Sequence, residues 1–260
     1  MIFLRHILIT GGSSGIGAAL ALHYAAPKVH LYLNGRNQQR LSDVADQCRA
    51  KGAAVDTALV DVTDQEAMAS WITAMGRDQT LNLVIANAGI SGGTGGRAEG
   101  EPVLEARKIF DVNVTGVFNT VEPALMVMRR QEGGGQIAIV SSLAGFRGWP
   151  SSPAYSASKG AVRFYGEALR GALKETNIKI NVICPGFVTS RITDENDFPM
   201  PFKMEADKAA KIISKGLSKN KGRIAFPWPM HFMTWLIGIL PDILAQKLLA
   251  KAPAKSALTD

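Results

Sequence analysis

Tyr155-Ser156-Ala157-Ser158-Lys159 sets a phenol and an ammonium four residues apart, on one face of any helix that carries them. A free tyrosine titrates near ~10, too high for ready proton exchange at neutral pH. A neighbouring ammonium favours the phenolate and brings that value down. Such a tyrosine gives a proton to a carbonyl oxygen during reduction, or takes one from an alcohol during oxidation. Ser142 stands thirteen residues earlier, at the end of a predicted strand. Its hydroxyl can bond a substrate oxygen and polarise it, as an oxyanion donor does. The alternative is a polar residue capping a strand-end turn. Hydrolase chemistry is disfavoured, because Ser142 sits in no G-x-S-x-G turn and no histidine is suitably placed beside it.

A second group of residues suits an anion. Thr10-Gly11-Gly12-Ser13-Ser14-Gly15-Ile16-Gly17 joins a predicted strand to a predicted helix, with glycines spaced G-x-x-x-G-x-G. Glycine permits the tight turn and lets a pyrophosphate approach the backbone, and the helix N-terminus offers free N–H groups. A glycine-rich turn alone often only shapes a loop; its place between strand and helix makes it a dinucleotide signature. The second predicted strand ends in Asn34-Gly35-Arg36-Asn37. An NAD site places a carboxylate in this neighbourhood, on the ribose 2′-hydroxyl. Here Arg36 stands instead, able to grip a 2′-phosphate with two donors. The expected cofactor is NADP(H) rather than NAD(H).

The elements that must hold these groups alternate along the chain. Strands are expected at Ile2–Ile9, Val29–Leu33, Ala54–Val60, Leu81–Ala86, Gln136–Ser141, Ile178–Cys184 and Arg223–Phe226. Helices are expected at Gly15–Ala26, Gln38–Lys51, Asp64–Met75, Glu101–Asp111, Val114–Arg130, Ser152–Glu175 and Met204–Ser218. Continuously apolar runs such as IAIV and INVIC suit parallel strands covered on both faces. The expectation is a single-domain α/β Rossmann-type fold over residues 1–260, a doubly wound parallel sheet of about seven strands with helices on both faces. Two stretches break the rhythm after strand ends, where ligands bind: the glycine-rich 89–100 and the loop 187–203, a candidate lid.

Composition narrows the partners. The chain has 260 residues, 47% apolar and 20% charged, which suits a folded globular protein. Its formal net charge is +7, but no basic stripe appears, so nucleic acid is not an expected partner. Cys48 and Cys184 form no framework, and the four histidines lack metal-ligand spacing, so neither a disulfide nor a metal is expected. The start MIFLRHILIT runs straight into the glycine turn and reads as a strand, not a signal peptide. No apolar run reaches the ~18 residues of a membrane span. A cytoplasmic protein is expected.

Taken together, these motifs resemble a classical short-chain dehydrogenase/reductase over about residues 3–190. TGGSSGIG at 10–17, Asp61-Val62, Asn87-Ala88-Gly89, Asn113, Ser142, Tyr155-x-x-x-Lys159 and Pro185-Gly186 occur in the family's order. The resemblance implies Tyr155 as general acid/base, Ser142 polarising the carbonyl, and Lys159 lowering the tyrosine and bonding the nicotinamide ribose. It implies Asn113 holding a water on a proton relay to Lys159. Gly11, Ser13, Ser14, Gly15, Ile16 and Gly17 would cradle phosphate, and Asp61 and Val62 would border the adenine. Asn87, Ala88 and Gly89 would lie beside the cofactor, and Pro185, Gly186, Val188 and Ser190 past the nicotinamide. Ser190 departs from the family's usual threonine but keeps the hydroxyl.

The C-terminus departs further. Where many family members carry a glycine-rich tetramer segment, this chain has FPWPMHFMTWLIGILPDILAQKLLAK at 226–251. A homo-oligomer, dimer or tetramer, therefore stays open. Gly238 and Pro241 divide this divergent helical segment, about 228–251, into two short helices. The plain reading buries them on the body or in an interface; the sharper one gives an apolar wall or a peripheral membrane contact, helped by Lys247, Lys251 and Lys255. Phe146, Trp149, Phe187, Phe198, Met200 and Phe202 would wall a cleft for a hydrophobic substrate, with the loop glycines leaving room for a bulky ligand. The expected function is reduction of a ketone or aldehyde by NADPH, or the reverse alcohol oxidation. The rival is a cofactor-binding regulatory protein without turnover.

Overall fold

Ile7, Leu8 and Ile9 are three consecutive apolar residues, and all three are fully buried. That is possible only where helices cover both faces of a strand. The computed structural model, which describes residues 5–96, 100–194, 198–250 and 255, shows this arrangement throughout. Among the described residues the strands are β1 (His6–Ile9), β2 (His30–Asn34), β3 (Ala54–Ala58), β4 (Leu83–Ala86), β5 (Gly135–Val140), β6 (Ile178–Pro185) and β7 (Arg223–Phe226). All are parallel, in the order β3-β2-β1-β4-β5-β6-β7. The order reverses between β1 and β4, and there the C-terminal ends open a crevice.

The helices are α1 (Gly15–Tyr24), α2 (Gln38–Ala50), α3 (Gln65–Asp78), α4 (Val103–Phe110), α5 (Gly116–Arg129), α6 (Pro153–Ala172), α7 (Arg191–Asp194), α8 (Ala206–Ser218), α9 (Trp228–Ile239) and α10 (Asp242–Leu249). Helices α1, α2 and α8 pack on one face of the sheet and α3, α5 and α6 on the other. Local signals start several of them. Asp64 caps α3 by accepting from the Ala67 N–H at 3.0 Å, and Asn37 caps α2 by accepting from Arg40 N–H at 2.9 Å.

The expected gap between the helices at 101–111 and 114–130 is instead filled by a π turn, Asp111–Thr115, in which Gly116 N–H bonds Asp111 O. The loop 187–203 is more ordered than its sequence suggests: Val188 pairs with Met204 and α7 forms within it. Residues 195–197 of that loop, 97–99 of the glycine-rich loop, Ile2–Leu4 of the expected first strand and Lys251 lie outside the described residues.

The C-terminal segment forms two helices, but Gly238 sits inside α9 and the division falls at Leu240-Pro241. The pair packs on the body through Thr234, Ala245 and Leu249, but its outer face is uncovered. Trp228, Phe232, Trp235 and Ile239 make an exposed stripe at helical spacing, with Trp228 72% and Ile239 60% exposed. Two of the aromatics expected around the cleft serve as surface or anchors. Phe146 lies against the guanidiniums of Arg163 and Arg223, at 4.6 and 5.3 Å, and Phe202 is 54% exposed. Phe187 and Phe198 meet edge to face, their centroids 6.0 Å apart.

Candidate active site

The chain leaves β1 at Thr10, and this buried hydroxyl organises the crevice. Its oxygen accepts from the N–H groups of Asn87 and Ala88, at 3.0 and 3.1 Å. Asn87 Nδ2 donates back to the carbonyls of Thr10 and Gly11, at 2.9 and 3.2 Å. The turns after β1 and β4 are thus one unit. Gly11 and Gly15 have φ of +65° and +53°, a left-handed backbone that glycine alone adopts without strain. Gly17 packs so closely on Gly11 O that a Cβ would overlap it. Ser14, in extended backbone, precedes α1 without a side-chain cap bond, and the first turn holds no acid. Its N–H groups suit an anion.

The other cradle residues gather around this turn. Ile16 packs on the core beneath α1. A Cβ at Gly35 would stand 3.0 Å from Ser13 Oγ, which sets the serine at the end of β2 beside Arg36. A Cβ at Gly15 would meet Ser190 Cβ at 2.9 Å, so the loop after β6 closes over the phosphate turn. Arg36 lines a cavity of about 390 Å³ together with Asp61, Thr63, Lys108, Asp111, Val112 and Thr115. Asp61 accepts from the N–H and hydroxyl of Thr63, at 2.9 and 2.8 Å. Val62 is buried under Gly116, and Asn119 Nδ2 bonds its carbonyl at 2.9 Å. The glycine turn, the uncapped helix end and the cavity beyond Arg36 fit a dinucleotide.

The candidate reacting groups converge from three elements. Tyr155 and Lys159 come from α6. Ser142 follows β5, accepts from Ala144 N–H at 3.1 Å and lies near enough to the Tyr155 phenol to lower its pKa. Lys159 Nζ donates to Val140 O at 3.1 Å and stands 5.9 Å from the centre of the Tyr155 ring. Ser141 Oγ donates to Lys159 O at 2.6 Å, fixing α6 to the end of β5. Asn113 belongs to the π turn and is fully buried. Its Oδ1 accepts from Ile90 N–H at 2.8 Å, and its Nδ2 donates to Ile90 O and Ser158 Oγ at 2.9 and 3.0 Å. A Cβ at Gly89 would stand 3.0 Å from Asn113 Oδ1 and 3.2 Å from Lys159 Nζ, so both groups border one small space. Ser142 Oγ lies 3.5 Å from Pro185 O, and Gly186 N–H bonds Phe226 O at 2.7 Å. Val188 is buried beneath this loop.

Electrostatics run partly against the sequence expectation. Burial pushes the Tyr155 phenol up, against a smaller lowering by nearby Ser142. Burial also brings the Lys159 ammonium down to about 8. In the protein alone, desolvation outweighs the expected pull of the lysine on the tyrosine. The arrangement can hold a proton on Tyr155 near neutral pH, with Ser142 close by.

Several participants carry no local sequence signal. Thr10 lies inside the glycine motif yet serves β4. Ser158 supports Asn113. Glu101 Oε2 accepts from Ala154 N–H at 2.6 Å and caps α6. Lys255 Nζ stands 4.8 Å from the Tyr155 ring centre. The last two lie far from Tyr155 in sequence, and only the fold brings them there. Among the described residues no cluster suits a metal ion, and no helix is long and apolar enough to cross a membrane.

Comparison with known proteins covers the same segments. The family model for short chain dehydrogenases matches residues 5–198. An uncharacterized oxidoreductase of Myxococcus xanthus is 39% identical, over 92% of this chain and 94% of the relative. A 3-dehydrosphinganine reductase of Arabidopsis thaliana is 30% identical, over 90% of this chain and 72% of the relative. A Burkholderia phymatum short chain dehydrogenase/reductase solved with NAD has a TM-score of 0.82 at 23% identity, covering all of both chains. A Sphingobium yanoikuyae short-chain dehydrogenase solved with NADPH gives 0.77 at 24% identity, over 98% of this chain and 99% of that one. The matched residues hold the glycine turn, Asn113, Ser142, Tyr155 and Lys159, and the chain belongs to the short-chain dehydrogenase/reductase family as an NAD(P)-dependent oxidoreductase.

Proposed function

We propose that this protein is an NADP(H)-dependent carbonyl reductase, or the corresponding alcohol dehydrogenase, acting on a hydrophobic ketone or aldehyde. The cofactor choice is carried by Arg36, which lines the cavity at the end of β2 where an NAD site places a carboxylate. Bound, the cofactor supplies or accepts the hydride. The chain's own residues handle the rest. Tyr155 Oη gives its proton to the carbonyl oxygen as the alcohol forms, and takes it back in reverse. Ser142 Oγ donates to the same oxygen and fixes its position. Lys159 Nζ would hold the ribose and, while charged, favour the phenolate that Tyr155 becomes. Asn113 bridges the loop after β4 to α6 and borders the relay space over Gly89. A silent cofactor-binding protein would have no use for all four groups.

Substrate character is argued from the exposed stripe on α9. Met230 packs with Leu143, which immediately follows Ser142, so the apolar helix pair adjoins the reacting groups. The only acid between Trp228 and Ala250 is Asp242, and Arg147 pairs with it at 2.6 Å. An apolar, acid-poor surface beside the site favours a lipid-like ketone met at a membrane surface on the cytoplasmic side. The name of the Arabidopsis relative is in keeping with such a substrate. Loop 187–203, seated over Gly15 through Ser190, is the candidate lid.

Cofactor titration tests the reading. Wild-type protein is expected to bind NADPH more tightly than NADH. Arg36→Ala should weaken NADPH by about 1.5–3 kcal/mol, the worth of a charge-assisted bond, and leave NADH almost unchanged. A wild-type preference for NADH would overturn the assignment.

A further inference from the structure

Where α6 meets β7, guanidiniums outnumber carboxylates. Arg163, Glu167 and Arg170 follow one another along one face of α6, and β7 begins beside them at Arg223. Among the described residues, Glu167 is the acid that pairs with any of these arginines. Its Oε1 accepts from Arg163 Nη1 at 3.3 Å, from Arg223 Nε at 3.0 Å and from Arg223 Nη2 at 2.5 Å. Two guanidiniums thus share one carboxylate oxygen, and the cluster keeps a net positive charge. Arg163 is buried, while Arg223 keeps 36% of its side chain exposed. Arg163 Nη2 and Arg223 Nη1 donate to no group among the described residues. Both guanidiniums lie over Phe146, and His231 of α9 meets the same ring edge-on, its centroid 5.5 Å away. His231 Nε2 is buried and hydrogen-bonds nothing among the described residues.

We infer that Arg163, Arg223 and His231 form a phosphate site, and that its ligand is the phosphomonoester headgroup of a lipid lying along α9. The inference rests on the reading of α9 as a membrane-facing helix and names what that helix meets. A guanidinium fork presents paired donors to phosphate oxygens. A phosphomonoester offers three acceptor oxygens and about −1.5 to −2 of charge, which suits a cluster with donors to spare. A buried nitrogen without a partner is completed by a ligand atom. Burial, then the charge of Arg223, holds the His231 imidazole down, so it meets an anion as a neutral N–H donor. The aromatic stripe supplies the argument for a lipid. Trp228 follows Arg223 by five residues and stacks on Phe232 at 6.0 Å; Phe232 in turn reaches Trp235 at 6.0 Å, and all three are exposed. Cations at the root of an apolar, aromatic helix take a headgroup and its acyl chains together. Arg163 Nε also donates to Gly145 O at 3.1 Å, within the short turn that follows Ser142. A headgroup held here sets the crevice against the bilayer.

The test uses the full-length protein and two kinds of phosphatidylcholine vesicle, one doped with phosphatidic acid and one given the same surface charge by oleate. In co-sedimentation the wild type should favour phosphatidic acid by roughly tenfold in apparent Kd, the worth of one charge-assisted bond. Arg223→Gln should bring the two vesicles level, Arg223→Lys should keep part of the preference, and His231→Phe should lose less of it than Arg223→Gln. Unchanged NADPH affinity in each variant reports that the fold is kept. No preference in the wild type, or an equal loss on both vesicles in Arg223→Gln, would overturn the site and leave α9 as a membrane helix. Calorimetry with dihexanoyl phosphatidic acid, which dissolves without a bilayer, separates the two readings. Binding of this short lipid that depends on Arg223, with no binding to either vesicle, supports the site while the membrane reading fails. Inorganic phosphate bound as tightly as the short lipid would overturn the lipid assignment, and so would short-lipid binding that ignores Arg223.

Discussion

Glu101 caps the helix that carries the tyrosine: its carboxylate accepts the Ala154 N–H at 2.6 Å, across 53 residues of sequence. Ser152, the local capping position, makes no side-chain cap bond. Glu101→Ala should therefore cost about 1–2 kcal/mol of stability, as the loss of a cap does, and lower kcat through Tyr155 one residue on. Glu101→Gln keeps an acceptor and should recover most of both. Denaturant melts and steady-state kinetics on the two variants check this, and equal damage from both would refute the capping role.

Tyr155→Phe keeps the ring and removes the proton. Turnover should fall by a factor on the order of 10² or more, with NADPH affinity little changed. Fluorescence titration of the cofactor beside a turnover assay reads both. Near-normal turnover would sink the acid/base assignment.

Lys159 gives the protein a pH signature. Its ammonium titrates near about 8 when folded and near 10.5 when free. Between those values the unfolded chain holds more protons, so this group makes stability rise with pH over that interval. Below about 8 its desolvation cost is fully present. Relative to Lys159→Met, the ligand-free wild type should gain on the order of 2–3 kcal/mol from pH 7 to pH 10, at ~1.36 kcal/mol per unit. Urea melts across that range measure the difference; a flat difference would mean the ammonium is better solvated than its burial implies.

The stripe on α9 should bind bilayers. Co-sedimentation with vesicles rich in anionic lipid should retain the wild type and release a Trp228→Ser/Trp235→Ser variant, with cofactor affinity kept in both. A wild type that ignores vesicles yet forms a dimer dissolved by the same substitutions would assign the stripe to a second copy.

The sequence revealed those features that are encoded locally. Continuous apolar runs gave the parallel strands, and Asp64 followed by Ala67 marked the start of α3 within a residue. The phosphate turn was readable because left-handed backbone at Gly11 and Gly15 demands glycine. Other features depend on distant segments. Phe146 looked like a cleft residue, but two guanidiniums from α6 and β7 hold it elsewhere. The apolar tail suggested burial, yet its outer stripe finds no partner surface within the described chain. Nothing near Tyr155 announces Lys255, since their approach is set by backbone bonds between segments far apart.

The π turn carries a consequence for chain length. Because Gly116 N–H reaches back five residues to Asp111 O, the run from Val103 to Arg129 holds one residue more than a regular α-helix of the same hydrogen-bond pattern. Removing one residue there would restore ordinary helix bonding, and the protein would keep its helix content. It would also turn the side chains on one side of the deletion by about 100° relative to those on the other, carrying Asn113 or α4 out of place. A relative of this protein shortened by a single residue at this point would therefore keep the cofactor cradle and lose the bridge to Ser158. A single residue within this turn would separate a scaffold that binds from one that also turns over.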